Sequence, residues 1–280
     1  MSNGKHEDDY STIVCMNDVL LTVEGISVYT LSAFVLLAFL WASFVFYKKA
    51  IEYHETEETV LNAILLMGVM SFISSRLWFV ITRPDWFVGH WIRVLFLWEY
   101  PGMSGWGVFL GVLLGVLIMI KKYKKKLFDW LDLVALGLAA GIPIVYMANG
   151  VLSVDGVVVL GMTVETIKSI FLALWFFLLW WSEGEYRTLE WYRFRKTQAR
   201  TGFVTGVFIF GFGLINLLVE LWVKTVTDWY VYVVLVVVGA LVVYIRSERR
   251  LKKDLILIGE SIRELSIKKK SLKWPTIKRK

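Results

Sequence analysis

Six polar side chains stand at the margins of long apolar runs in a chain that is 57% hydrophobic: Arg76, Glu99, Ser104, Asn149, Asn216 and Glu220. The guanidinium of Arg76 suits two-point contact with a phosphate. A carboxylate such as Glu99 or Glu220, kept in surroundings of low polarity, is a candidate base. Ser104, Asn149 and Asn216 offer hydrogen bonds to a polar headgroup. Each residue also has a structural reading. Arg76 can snorkel to the membrane surface or neutralise Glu99 or Glu220, and Asn216 can tie one helix to another. The sequence has no paired histidines or cysteines at metal spacing, no phosphate-cradling glycine loop and no nucleophile elbow, so no metal or other cofactor is expected.

The elements that must hold these residues start from the turn Glu99-Tyr100-Pro101-Gly102-Met103-Ser104-Gly105-Trp106-Gly107, which feeds directly into the apolar run Val108–Ile120. Gly107, Gly111 and Gly115 recur at every fourth position, predicting a helix face that a neighbouring helix can approach closely. A mean hydropathy of +0.61, with 14 Trp in 280 residues, means more apolar surface than a soluble core would bury. The chain is therefore expected to be an all-α integral membrane protein. A membrane helix needs roughly 20 mainly apolar residues. Seven such spans are predicted, at about Ile26–Tyr47, Val60–Ile81, Gly105–Ile120, Leu127–Ala148, Val164–Trp181, Gly202–Trp222 and Trp229–Ile245.

Basic residues set the expected orientation. Lys48 and Lys49 follow the first span, Lys121, Lys122, Lys124, Lys125 and Lys126 the third, and Arg187, Arg193, Arg195, Lys196 and Arg200 the fifth. The alternate loops carry only Lys5, Arg83, Arg93 and Lys224. The positive-inside rule then places the N-terminus outside and the C-terminus in the cytoplasm, in a cell (cytoplasmic) membrane. Residues 1–25 become an extracytoplasmic segment, 26–245 the transmembrane domain and 246–280 a cytoplasmic tail. The tail carries Leu251, Leu255, Ile258, Ile262 and Leu265 as an apolar stripe opposite many Lys and Arg, which predicts an amphipathic helix on the anionic membrane surface rather than a nucleic-acid contact.

The remaining candidates read as structural. Residues 1–25 lack the form of a secretory signal, and Cys15 is the single cysteine, so no disulfide forms within the chain. Glu57 and Glu58 suit a helix start, and His54 beside them a solvated loop. His90 lies in the Trp-rich stretch Trp86–Trp98, expected at the outer interface. Glu165 and Lys168 form an (i, i+3) pair that neutralises itself. Asp132 is expected to be a helix-start residue.

Ordered along the chain, several short patterns resemble the bacterial prolipoprotein diacylglyceryl transferase family. They are Trp98-Glu99, Gly102-Met103-Ser104, Gly107 and Gly111, the Arg76 segment, Asp132 after Trp130, Gly137-Leu138-Ala139-Ala140-Gly141 closing on Asn149-Gly150, and Gly211-Phe212-Gly213 followed by Glu220. The resemblance covers Gly25 to about Ile245 and implies a prokaryotic transferase of lipoprotein biosynthesis. Such an enzyme moves a diacylglyceryl group from phosphatidylglycerol to a cysteine thiol of a lipoprotein precursor. A phosphatidylglycerol-like phospholipid and the precursor would be its partners.

That reaction needs a base for the thiol and donors or cations for the departing phosphate. Glu99 and Glu220 are the candidate catalytic residues, and Arg76, Gly102, Ser104, Asn149 and Asn216 the candidate substrate-binding ones. Under the derived topology they gather toward the outer ends of their elements. Departures from the family pattern are equally specific. Trp106 stands where the family has a histidine, Ile142 and Asn216 where it has arginines, Val151 where it has an acid, and Leu31 where it has a tyrosine, although Tyr29 is close by. Two readings follow: an enzyme with a rebuilt set of polar groups, or an inactive relative that binds lipid or a membrane partner. A small transporter is the weaker third class, because the polar residues cluster toward one side.

Overall fold

The structure, a computed structural model, describes residues 19–23, 26–84, 87, 102–152, 157–159, 161–188, 201–223 and 229–247. Seven helices are each long and apolar enough to cross a membrane: α1 (Thr30–Glu52), α2 (Glu57–Thr82), α3 (Gly105–Tyr123), α4 (Leu127–Leu152), α5 (Val164–Thr188), α6 (Phe203–Val223) and α7 (Trp229–Arg246). Hydrocarbon offers backbone amides no partner, so each long apolar run satisfies its own as a helix. The protein is an all-α multi-pass membrane protein.

Two small hairpins supplement the helices. β1 (Val19–Val23) pairs antiparallel with β2 (Ile26–Tyr29), and β3 (Val158–Val159) pairs with β4 (Met162–Thr163). The first predicted span therefore begins later than expected, at Thr30 rather than Ile26. Ile26-Ser27-Val28-Tyr29 has the β-branched and aromatic content of a strand, and its partner strand lies just before it in the chain.

α2 packs on α3, α1 on α4, α4 on α5 and α6 on α7. The glycine face of α3 meets α2 as its spacing predicts. A Cβ added at Gly107 would come within 2.5 Å of the Ser75 Cα and 2.6 Å of the Ser74 carbonyl oxygen, and one at Gly115 within 2.9 Å of the Met67 Cα. Backbone thus lies against backbone over two turns. α4 is the most enclosed helix, its buried residues including Trp130, Leu133, Leu136 and Ala140, whereas α7 has a single buried residue, Gly239. Pro143 lies inside α4, and its carbonyl accepts a hydrogen bond from the Ser169 hydroxyl on α5 at 2.7 Å. A side chain of the neighbouring helix thus caps backbone beside the proline.

The end of the bundle that carries Lys49 is fastened by polar contacts. Lys49 pairs with Glu183 at 2.6 Å and with Glu52 at 2.9 Å, Tyr53 donates to Glu183, and the ammonium lies over the Trp180 ring. Asp132 corrects the sequence expectation. It lies past the first turn of α4, in the second, and its buried carboxylate accepts the backbone amides of Gly202 and Thr205 and the Thr205 hydroxyl, at 2.6, 2.8 and 2.7 Å. The first turn of α6 has orphan amides and no acidic residue of its own, so a carboxylate from another helix supplies the cap. Glu57 and Glu58 do occupy the first turn of α2 as expected.

Candidate functional site

At the opposite end, α2 delivers Ser75 and Arg76 to the start of α3. The turn is bonded to the helix in both directions: the Ser104 amide donates to the Ser75 carbonyl at 3.3 Å, and the Ser75 hydroxyl donates to the Ser104 carbonyl at 3.1 Å. Arg76, only 5% exposed, donates from Nη1 to the Gly102 carbonyl at 3.0 Å. Its guanidinium lies 5.8 Å from the centre of the Phe79 ring and 5.4 Å from that of Phe87. A guanidinium carries five N–H donors in a planar fork, and the bond to the Gly102 carbonyl ties that fork to the turn. Ser104 occupies the N-cap position of α3 with extended backbone, yet its side chain makes no capping bond. The positive end of the α3 dipole therefore opens beside a buried arginine, an arrangement suited to an anion. Trp106, where the family resemblance places a histidine, is partly exposed and leans on Phe109 with ring centres 6.1 Å apart.

A second polar group forms at the same end, between α4, α5 and α6. Asn216, fully buried, accepts a hydrogen bond from the Tyr146 hydroxyl at 3.1 Å and donates to the Phe212 carbonyl at 2.8 Å. One turn further along α6, Glu220 is buried with its carboxylate 3.6 Å from the Lys168 ammonium. Lys168 also donates to Glu165 at 3.0 Å and lies 5.9 Å from the centre of the Tyr146 ring. Asn149 is half-buried in the last turn of α4, where the next carbonyl, that of Gly150, accepts the Thr163 hydroxyl at 2.8 Å. The short β3–β4 connection is thereby anchored to the mouth of this group.

The predicted residues thus fall into two sets at one end of the bundle. Arg76, Gly102 and Ser104 are drawn together where α2 meets α3, and Asn216 and Glu220 share a face of α6 with Asn149 at the nearby end of α4. Glu99 and His90 lie outside the described residues, as does the tail beyond Ser247. Asn216 does tie two helices together. The Glu165–Lys168 pair forms as its spacing predicts, but Lys168 also reaches across to α6, which the pairing rule does not capture. Tyr146 is the residue the sequence reading passed over. Its position three residues before Asn149 placed both on one helical face, and that spacing was the available signal. Among the positions that depart from the family pattern, Ile142 is partly buried against the apolar cluster around Leu136, Phe176 and Phe208, and Val151 is exposed.

Seven spanning helices with buried ionic and hydrogen-bonded groups at one end define a multi-pass membrane protein with a polar site near one surface. Comparison with protein families matches residues 18–246 to prolipoprotein diacylglyceryl transferase, and the chain belongs to that family. No curated protein matches the chain individually.

Proposed function

We propose that this protein transfers a diacylglyceryl group from a phosphatidylglycerol-like phospholipid to the cysteine thiol of a lipoprotein precursor, at the outer face of a prokaryotic cytoplasmic membrane. The observation that carries the proposal is the buried carboxylate of Glu220 at the same end of the bundle as the buried guanidinium of Arg76. In the step, the thiol gives its proton to Glu220 or Glu99, and the thiolate sulfur attacks the lipid's glycerol carbon. A carbon–sulfur bond forms as the carbon–oxygen bond to phosphate breaks. Glycerol phosphate leaves with that electron pair, and the proton on the carboxylate passes on to the released product or to water. Arg76, with the first-turn amides of α3, meets the negative charge gathering on the phosphate. Gly102 and Ser104 keep the turn against α2 so that this cradle holds its shape, while Asn149 faces the headgroup region and the buried Asn216 holds Tyr146 beneath it.

The second reading is a lipid-binding relative without transfer activity. Trp106, Ile142 and Asn216 favour it, because each puts a group that neither ionises nor carries charge where the family pattern has a histidine or an arginine. Purified protein given labelled phosphatidylglycerol and a lipobox-containing peptide separates the two. The transferase reading predicts a thioether product that falls about 100-fold or more in Arg76→Ala and Glu220→Ala. Saturable lipid binding with no product, across bacterial and archaeal-type lipids, would leave a binding protein on a transferase scaffold.

A further inference from the structure

Lys168 has the features of a cation held ready for an anionic ligand. Its side chain is 7% exposed, and it is the cation in contact with Glu220 among the described residues. An ammonium has three N–H donors. Here one makes a hydrogen bond, to Glu165 on the same helix, while the 3.6 Å approach to Glu220 is an ion pair too long for a good hydrogen bond. The carboxylate that takes the short bond is the accessible one: the Glu165 side chain is 34% exposed, against 10% for Glu220. Water can therefore replace the ammonium at Glu165 at little cost, whereas Glu220 has no comparable access. Tyr146 fixes the floor of the group, with its ring beneath Lys168 and its hydroxyl on Asn216.

We propose that Lys168 is a phosphate contact of the lipid site: when an anionic headgroup enters, the ammonium leaves Glu165 and donates to a phosphate oxygen while staying beside Glu220. This assignment rests on the reading of the site as one for a phospholipid, and it adds to Arg76 a second cation, contributed by α5. A charge-assisted bond to phosphate is stronger than the solvated bond to Glu165 that it replaces. Glu165 then acts as a resting hydrogen-bond partner for the ammonium when no lipid is bound, beside the ion pair with Glu220.

Equilibrium binding to the purified full chain in detergent tests this without any transfer step. The probes are short-chain phosphatidylglycerol, free glycerol phosphate and short-chain diacylglycerol, which lacks the phosphate. Lys168→Gln is expected to weaken phosphatidylglycerol binding at least tenfold with diacylglycerol unaffected, and Lys168→Arg to keep most of the affinity. Glu165→Gln is expected to tighten phosphatidylglycerol binding severalfold, because the ammonium loses a competitor. If glycerol phosphate shows the same dependence on Lys168, the contact belongs to the headgroup phosphate alone; if it does not, the contact requires the whole lipid, and either result upholds the role. Equal binding of phosphatidylglycerol by folded Lys168→Gln and wild type would overturn it. Should Lys168→Gln not fold, unchanged or weaker binding by Glu165→Gln would do the same. Loss of the transferase proposal alone, with phosphatidylglycerol bound in a Lys168-dependent way, leaves this inference standing.

Discussion

Arg76 donates a 3.0 Å hydrogen bond to the carbonyl of Gly102, linking the last turns of α2 to the turn that opens α3. The bond aims a buried guanidinium at a helix N-terminus, and the shape of the fork matters as much as its charge. Lysine offers a point charge on a flexible stem and cannot both hold the Gly102 carbonyl and present a planar pair of donors. Arg76→Lys is therefore expected to lose about 100-fold in transfer rate. Its thermal unfolding in detergent should stay close to wild type, and activity and melting measured on one preparation check both halves.

In the proposed step Glu220 is one of two candidate bases for the thiol, and the headgroup falls to the cations; if Glu220 is the base, its amide variant separates the two roles. Glu220→Gln keeps the size of the side chain but cannot accept the thiol proton, so transfer should fall by about 100-fold or more while lipid binding persists. Glutamine also removes the anion beside Lys168, so phosphatidylglycerol affinity should hold or rise. Parallel measurements of single-turnover rate and lipid affinity separate these effects.

The closeness of α2 and α3 makes the glycines of α3 unequal. A methyl group at Gly107 meets Ser74 and Ser75 backbone, and one at Gly111 meets the backbone of Met70 and Ser71, which cannot move aside as a side-chain tip would. Gly107→Ala and Gly111→Ala are each expected to destabilise by about 1–3 kcal/mol, the usual cost of overpacking. Gly105→Ala is the control, since nothing lies within 4 Å of its Cβ position. Denaturation of the three variants in one detergent gives the comparison.

Asp132 holds α6 in place from α4. Removing its carboxylate leaves the buried Gly202 amide and the donors of Thr205 without their acceptor. Asp132→Ala should cost roughly 3 kcal/mol, since each orphaned buried donor costs about 1–3 kcal/mol and part of the loss relaxes. Asp132→Asn retains an oxygen acceptor and should fall between the two. Stability measured by unfolding, with transfer assayed at low temperature where the variants remain folded, distinguishes a structural cap from a catalytic group.

What the sequence reveals here follows from the range of the interactions. The seven helices were legible because hydrocarbon forces long apolar runs into one conformation, and the approach of α3 to α2 was legible because Gly107, Gly111 and Gly115 repeat at helical spacing. The Lys168–Glu165 pair was legible for the same local reason. Contacts that join distant segments carry no such periodic mark. Asp132 and Thr205 sit on separate helices, as do Lys168 and Glu220, and nothing in the neighbouring residues of either pair announces its partner. The β1–β2 hairpin was hidden because Ile26 and Val28 run straight into the apolar stretch of the helix that follows.

Transfer of a diacylglyceryl group to a cysteine thiol changes the mass of the acceptor, so intact-mass analysis of a lipobox peptide reads the proposed reaction itself. The peptide is incubated with wild-type protein in liposomes containing phosphatidylglycerol, beside a peptide whose cysteine is replaced by serine. The expected result is a mass gain of one diacylglyceryl group on the cysteine peptide alone, with glycerol phosphate released in equal amount. An unmodified cysteine peptide, in the presence of folded protein that binds the lipid, would contradict it.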